Sequence, residues 1–171
     1  MSVDDQDMPP LDAEAAMYIK PGDHMLCYAY RKVGRCQLGI RRFVPQPDNS
    51  VLAEVVCPSS WEGGPMVAHG GWTAATFDEV LGHVGPLHGA LTVTGTLTIV
   101  YLKPVPIERE VEVRGRVDRV EGRRWYLTAE MTLVATGAVL GRANGIFVQR
   151  NPAHFEKHRL WMEEQDRIAE G

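Results

Sequence analysis

The sequence predicts an α+β domain, an antiparallel sheet wrapped around one buried helix. Three observations lead there. Residues 66–85, MVAHGGWTAATFDEVLGHVG, place apolar or small residues at Ala74, Phe77, Leu81 and Val84, with Trp72 and Val80 beside them. That is helix spacing, and its apolar character all round fits a buried helix. Around this segment lie stretches that alternate apolar and polar residues, as half-buried strands do. Short turns link the last three of them, so sequential neighbours pair antiparallel.

From the N-terminus, residues 1–10 are acidic and end in Pro9-Pro10, which reads as a disordered tail. Residues 11–19 suit a short helix that Pro21-Gly22 stops. Residues 23–36 mix Tyr28, Tyr30, Arg31 and Arg35 and support no assignment; a segment packed on the sheet or a contact to a ligand tail both fit. Residues 37–44 and 51–57 read as a hairpin around PQPDNS. The loop PSSWEGGPMVA then leads to His69, with Trp61 either anchoring it or covering a site.

Beyond the helix, residues 90–103 form the longest strand candidate. Simple alternation puts Leu91, Val93, Leu97, Ile99 and Tyr101 on one face and Thr92, Thr94, Thr96 and Thr98 on the other. The threonine row serves either strand propensity or a polar ligand. Pro104 and Pro106 close it. Residues 109–120 alternate charge with valine, so one face is wet. Residues 123–136 and 138–149 make a hairpin turning at Gly137. A peripheral helix is expected over about 153–169, with an imperfect stripe of Phe155, Leu160, Trp161 and Ile168.

The central helix carries the candidate chemistry. The first N–H groups of a helix lack internal partners and favour negative charge ahead of them. With no Cβ at Gly70 or Gly71, a ligand can come close to that end and a developing oxyanion can be stabilised there. Asp78 supplies a general base or nucleophile. Taken alone, glycines before a helix serve a turn, and one acid on an apolar helix marks a solvent edge. Geometry adds a constraint. Gly70 and Asp78 are eight positions apart, so at ~1.5 Å rise per residue they are about 12 Å apart along one helix. A carbonyl under attack must lie ~3 Å from both donor and nucleophile. Two antiparallel copies, Gly70 of one facing Asp78 of the other, meet that demand. The expectation is a homodimer with two sites at its interface.

Composition narrows the classes. At 171 residues the chain is long enough for one domain with a real core. A net charge of −4 leaves no basic footprint for nucleic acid. No apolar run reaches the ~20 residues of a membrane span, and the acidic MSVDDQDMPP start is unlike a secretory signal. Three cysteines, Cys27, Cys36 and Cys57, lack disulfide or zinc-site pairing and fit a reducing, cytoplasmic setting. His24, His83, His88, His154 and His158 share no spacing with carboxylates and read as surface or turn residues. Arg31, Arg35, Arg41, Arg42, Arg123, Arg124 and Arg142 are candidate phosphate contacts, or ordinary solvated charges.

His-Gly-Gly opening a helix, Asp nine residues after that His, and a Thr-rich strand ending Tyr-Leu-Lys-Pro-Val-Pro resemble the hotdog-fold thioesterase superfamily, and within it the PaaI-like acyl-CoA thioesterases. The resemblance covers about residues 37–149. It implies a hotdog fold and divides the chain into a tail and short helix at 1–22, a hotdog domain at 23–150 and a helical tail at 151–171. It implies that Gly70 polarises the thioester carbonyl, that Asp78 acts from the opposite subunit, that His69 orients the thioester and that Thr94 positions water. Gly71, Glu79 and Thr96 are expected to contact substrate. Some relatives carry an Asn several residues before His-Gly-Gly, and WEGGPMVA has none, which places more weight on His69. Neighbouring helix positions point ~100° apart, so only one of Asp78 and Glu79 faces the cleft; spacing leaves the choice open and the resemblance selects Asp78.

The implied reaction is hydrolysis of a fatty or aromatic acyl-CoA to free acid and CoA. It needs no metal and no bound cofactor, since coenzyme A is part of the substrate, and the assembly is a homodimer or a dimer of dimers. A hydratase or dehydratase on the same fold would want an Asp and His a few residues apart in another loop, which is not found. A non-catalytic acyl-CoA or lipid-binding protein would leave Asp78 a costly carboxylate without use.

Overall fold

A computed structural model describes residues 36–151 and 153–170. The tail, short helix and unassigned stretch expected before residue 36 lie outside them, as do Cys27, His24, Arg31 and Arg35. The fold is the expected α+β one: a six-stranded antiparallel sheet with one long helix packed against it. The strands are β1 (Ile40–Pro45), β2 (Val51–Val56), β5 (Thr92–Tyr101), β6 (Glu110–Glu121), β7 (Arg124–Leu133) and β8 (Ala138–Gln149), in the order β1-β2-β6-β7-β8-β5. The helix is α1 (Gly70–Leu87).

Its expected apolar positions make the core. Phe77, Val80, Leu81 and Val84 are buried, and they share one cluster with Val51, Val55, Val111, Val113, Leu127, Met131 and Phe147 of the sheet. A Cβ at Gly115 of β6 would lie only 3.1 Å from Val80 Cγ1 and 3.2 Å from Val84 Cγ2, so that glycine lets the helix sit down on the sheet. The helix runs two residues past the expected end. Pro86 falls in the last turn. Gly89, at φ +73°, then ends the helix, with Gly89 N–H on Pro86 O and Ala90 N–H on Gly85 O, both 3.0 Å.

The connection into α1 is more ordered than the expected loop. It holds a 3₁₀ turn (Ser59–Trp61) and a two-stranded hairpin, β3 (Glu62–Gly64) with β4 (Val67–Ala68). Two indole N–H groups tie it down. Trp61 Nε1 donates to Gln37 O at 3.1 Å and Trp72 Nε1 to Leu38 O at 3.0 Å. Trp61 is thus an anchor. These bonds, and the turn at Gly39 (φ +75°), also explain why β1 begins at Ile40 rather than residue 37.

The threonine ladder departs from simple alternation. A β-bulge falls between Thr94 and Thr96, where Thr94 pairs with Phe147 and Thr96 with Ile146. Gly95 is the extra residue, and a bulge swaps the faces of the residues beyond it. Thr92 and Thr94 therefore lie on the helix side, together with Leu97, Ile99 and Tyr101. Thr96 and Thr98 lie on the outer side with Val93 and Val100. The final helix, α2 (His154–Glu170), has no buried residue, and Phe155, Leu160, Trp161 and Ile168 are all exposed. It is peripheral, as expected, and its apolar stripe docks on none of the described residues.

Candidate active site at the tip and middle of helix α1

The start of α1 is built by hydrogen bonds that leave one donor over. His69 is the N-cap. Its own N–H donates to Trp61 O at 2.7 Å, and its Nδ1 accepts from Gly71 N–H at 2.9 Å. Trp72 N–H turns back to His69 O at 2.9 Å. Of the amides that a helix start orphans, those of His69, Gly71 and Trp72 are engaged. Among the described residues, Gly70 N–H has no acceptor. Because Nδ1 of His69 accepts, a neutral ring carries its proton on Nε2, which remains a donor.

The two glycines have different jobs. A Cβ at Gly70 would meet nothing closer than the Tyr101 ring at 3.7 Å, which is ordinary contact. A Cβ at Gly71 would meet His69 Nδ1 at 2.9 Å. The imidazole already fills the space beside Gly71, and the Gly71 N–H is taken. Gly71 thus gives its N–H to capping the helix.

Two turns further along, Asp78 is half-buried. Thr94 Oγ1 donates to its Oδ1 at 2.7 Å. The bulge at Gly95 makes this possible by turning Thr94 to the helix side. Thr96, on the other face, is not brought to this point within the chain. Glu79 turns elsewhere. Its Oε1 lies 3.7 Å from His83 Nδ1 and, among the described residues, has no hydrogen-bond partner. Burial, and secondly the charge of Asp78, push its carboxyl up to about 7. His83 stacks on Phe43 with ring centroids 4.6 Å apart, and His88 is buried beside Trp125. His83, on the helix and only partly exposed, corrects the surface reading, whereas His88 lies in the turn that follows α1, as the surface-or-turn reading allows.

Several candidate arginines are paired. Arg41 meets Glu110 at 3.2 Å and Arg142 meets Glu130 at 2.8 Å. Arg42 pairs with Glu54 at 2.5 Å. A groove of about 390 Å³ lies on the outer sheet face, lined among others by Arg114, Arg116 and Arg142, and Asp78 does not line it. No group of three or more His, Cys, Asp or Glu among the described residues is placed to hold a metal. None of the described helices is long and apolar enough to cross a membrane. Sequence pattern gives no sign of Tyr101 as a site residue. Its hydroxyl donates to Gly70 O at 3.0 Å across 31 positions of sequence, a reach no periodicity announces.

Comparison with known proteins adds to this geometry. A family model described as "Thioesterase superfamily" matches residues 66–137, from β4 to the β7–β8 turn. Over that stretch the chain is similar to the thioesterase superfamily. Among curated relatives, the acyl-coenzyme A thioesterase THEM4 of Bos taurus is 30% identical over 91 residues, 53% of this chain and 37% of that protein. The chain thus spans well under half the length of that relative. Among solved structures, the E. coli PaaI protein from the phenylacetic acid degradation operon superposes with a TM-score of 0.65 at 15% identity, covering 82% of this chain and 96% of that one. A hypothetical thioesterase of Streptococcus pneumoniae, solved with coenzyme A, gives a TM-score of 0.58 at 19% identity, covering 66% and 84%. Variants of it were also solved in which an aspartate and a threonine sixteen positions apart were each changed to alanine. Likeness at these identities shows the fold alone, the hotdog architecture.

Proposed function

We propose that the protein hydrolyses an acyl-CoA thioester to the free acid and CoA, at sites shared between two copies of the chain. The observation that carries the reading is the 2.7 Å bond from Thr94 to Asp78, which fixes a carboxylate on α1. Supporting it are the unengaged Gly70 N–H and the thioesterase-superfamily match of residues 66–137. The relatives' names and the coenzyme A complex point the same way. So does the spacing of sixteen, which Asp78 and Thr94 share with the aspartate and threonine probed in the streptococcal protein.

In this reading the acyl carbonyl oxygen accepts from Gly70 N–H, with His69 Nε2–H beside it. Asp78 of the second copy takes a proton from water as the water oxygen bonds to the carbonyl carbon, or attacks that carbon itself to give, on loss of the thiolate, a mixed anhydride that water then hydrolyses to the free acid. Thr94 Oγ1 donates to Asp78 and so has lone pairs left to hold the water. The charge that builds on the carbonyl oxygen meets the helix tip. The C–S bond then breaks, and the CoA thiolate leaves readily without a strong general acid. Water and these groups suffice; no metal or bound cofactor takes part, and CoA enters as part of the substrate.

Two features favour the second copy. Asp78 and Gly70 of one chain are too far apart along α1 to serve one carbonyl. The sheet also has unequal edges. β1 carries Arg41, Arg42, Pro45 and a register irregularity, devices that discourage edge pairing. β5 offers ten residues, TVTGTLTIVY, with no charge and no proline. Either a dimer or a dimer of dimers keeps the same shared site.

The test is CoA release, read with a thiol reagent, over a panel of aliphatic and aromatic acyl-CoAs. At least one substrate is expected to turn over, and Asp78→Asn is expected to remove most of that turnover while the oligomer survives. Thr94→Ala is expected to cost less. Binding without release, or full activity in Asp78→Asn, would overturn the assignment.

A further inference from the structure

The geometry points to Tyr101 as a positioning residue that holds the Gly70 amide in line for the developing oxyanion. This inference rests on the hydrolase reading and deepens it. Two peptide planes meet at Gly70. The first carries the Gly70 N–H and is held from its other end, because His69 O accepts from Trp72 N–H at 2.9 Å. The second joins Gly70 to Gly71 and is held from both sides. His69 Nδ1 takes the Gly71 N–H at 2.9 Å, and the Tyr101 hydroxyl donates to Gly70 O at 3.0 Å.

Glycine is the residue least able to hold its own backbone angles. A free N–H on a glycine at a helix tip would wander without external restraint, and a donor that must reorient during the reaction loses much of its benefit. His69 restrains one side of the second plane. Tyr101 restrains the other from the sheet, a rigid element, at the last residue of β5. The Tyr101 ring adds a wall, since its Cε1, hydroxyl and Cζ atoms stand 3.7–3.9 Å from the place a Gly70 Cβ would occupy. The hydroxyl touches no reacting atom in this arrangement. It acts through the peptide it holds.

Tyr101→Phe keeps the ring and the wall and removes only the hydroxyl. The expected result is a kcat lower by about tenfold with KM within about twofold, the pattern of an interaction felt in the transition state alone. The variant should melt with the wild type. Amide exchange at Gly71, whose N–H is bonded to His69 Nδ1, should be faster than in wild type when followed by NMR. Unchanged kcat in an otherwise active enzyme overturns the inference and leaves the hydrolase reading standing. So does a loss that appears only in KM. Should the wild type release no CoA from any substrate, the hydrolase reading is what fails. The Tyr101 claim is then decided by exchange alone: faster exchange at Gly71 in Tyr101→Phe upholds the restraint, and equal exchange removes it.

Discussion

Glu79 sits one residue from the proposed catalytic carboxylate and shows how a single step of about 100° around a helix separates two fates. Asp78 keeps a hydroxyl donor and half its exposure. Glu79 has a side chain only 19% exposed and an oxygen without a hydrogen bond. Its carboxyl, ordinarily near 4.5, is pushed up to about 7, first by burial and then by Asp78. That shift sets the sign of the linkage. Below about 4.5 the group is protonated folded and unfolded, and it costs nothing. Between 4.5 and about 7 the unfolded chain gives up this proton while the folded chain keeps it, so stability falls as pH rises, and it levels off above 7. The full effect is on the order of 3 kcal/mol. Glu79→Gln is expected to match the wild type in urea unfolding near pH 4 and to exceed it at pH 8. A variant no more stable than wild type at pH 8 would contradict this account. Apolar spacing offers Asp78 and Glu79 as equals. The resemblance selects Asp78, and the packing of α1 against its neighbours gives the physical difference between them.

At the scale of elements, α1 and β5 show what the sequence makes legible and what it hides. The helix is readable because Phe77, Leu81 and Val84 keep their 3.6-residue period without interruption. Its start is readable because His-Gly-Gly stands directly before the helical pattern, whereas the cap that His69 makes is not. The strand β5 is readable as a strand, but not in its faces. Alternation assumes an unbroken register, and the bulge at Gly95 breaks it. A glycine in a strand marks a bulge, a close approach or nothing. The pairing partner that decides, Ile146, lies fifty positions beyond Thr96. The same bulge delivers Thr94 to Asp78, so the feature that alternation misses is the one the site needs. A Cβ at Gly95 would stand 2.9 Å from Ile146 O and 3.4 Å from Val148 Cγ2. Gly95→Val is expected to destabilise the domain by about 1–3 kcal/mol in urea unfolding. It should also cut CoA release by moving Thr94. A variant as stable and as active as wild type would mean the bulge is not required.

The whole molecule poses the remaining question, which is what completes the site. One chain presents an unengaged amide at the tip of α1, a hydroxyl-held acid in its middle, and an uncharged ten-residue edge at β5. These features answer one another only if two chains meet so that one chain's tip faces the other's acid. Complementation between two disabled variants tests this most directly. Asp78→Asn removes the acid. Gly70→Ala places a methyl at the tip without a clash inside the chain, where its nearest neighbour would be the Tyr101 ring at 3.7 Å. Each variant alone is expected to be nearly inactive, a misplaced substrate costing up to about a hundredfold. After the two are mixed and allowed to exchange subunits, half of the dimers are hybrids, and each hybrid has one intact site of its two. About a quarter of wild-type turnover should return. If mass spectrometry shows hybrid dimers in the mixture and CoA release stays at the level of the separate variants, the shared site is wrong.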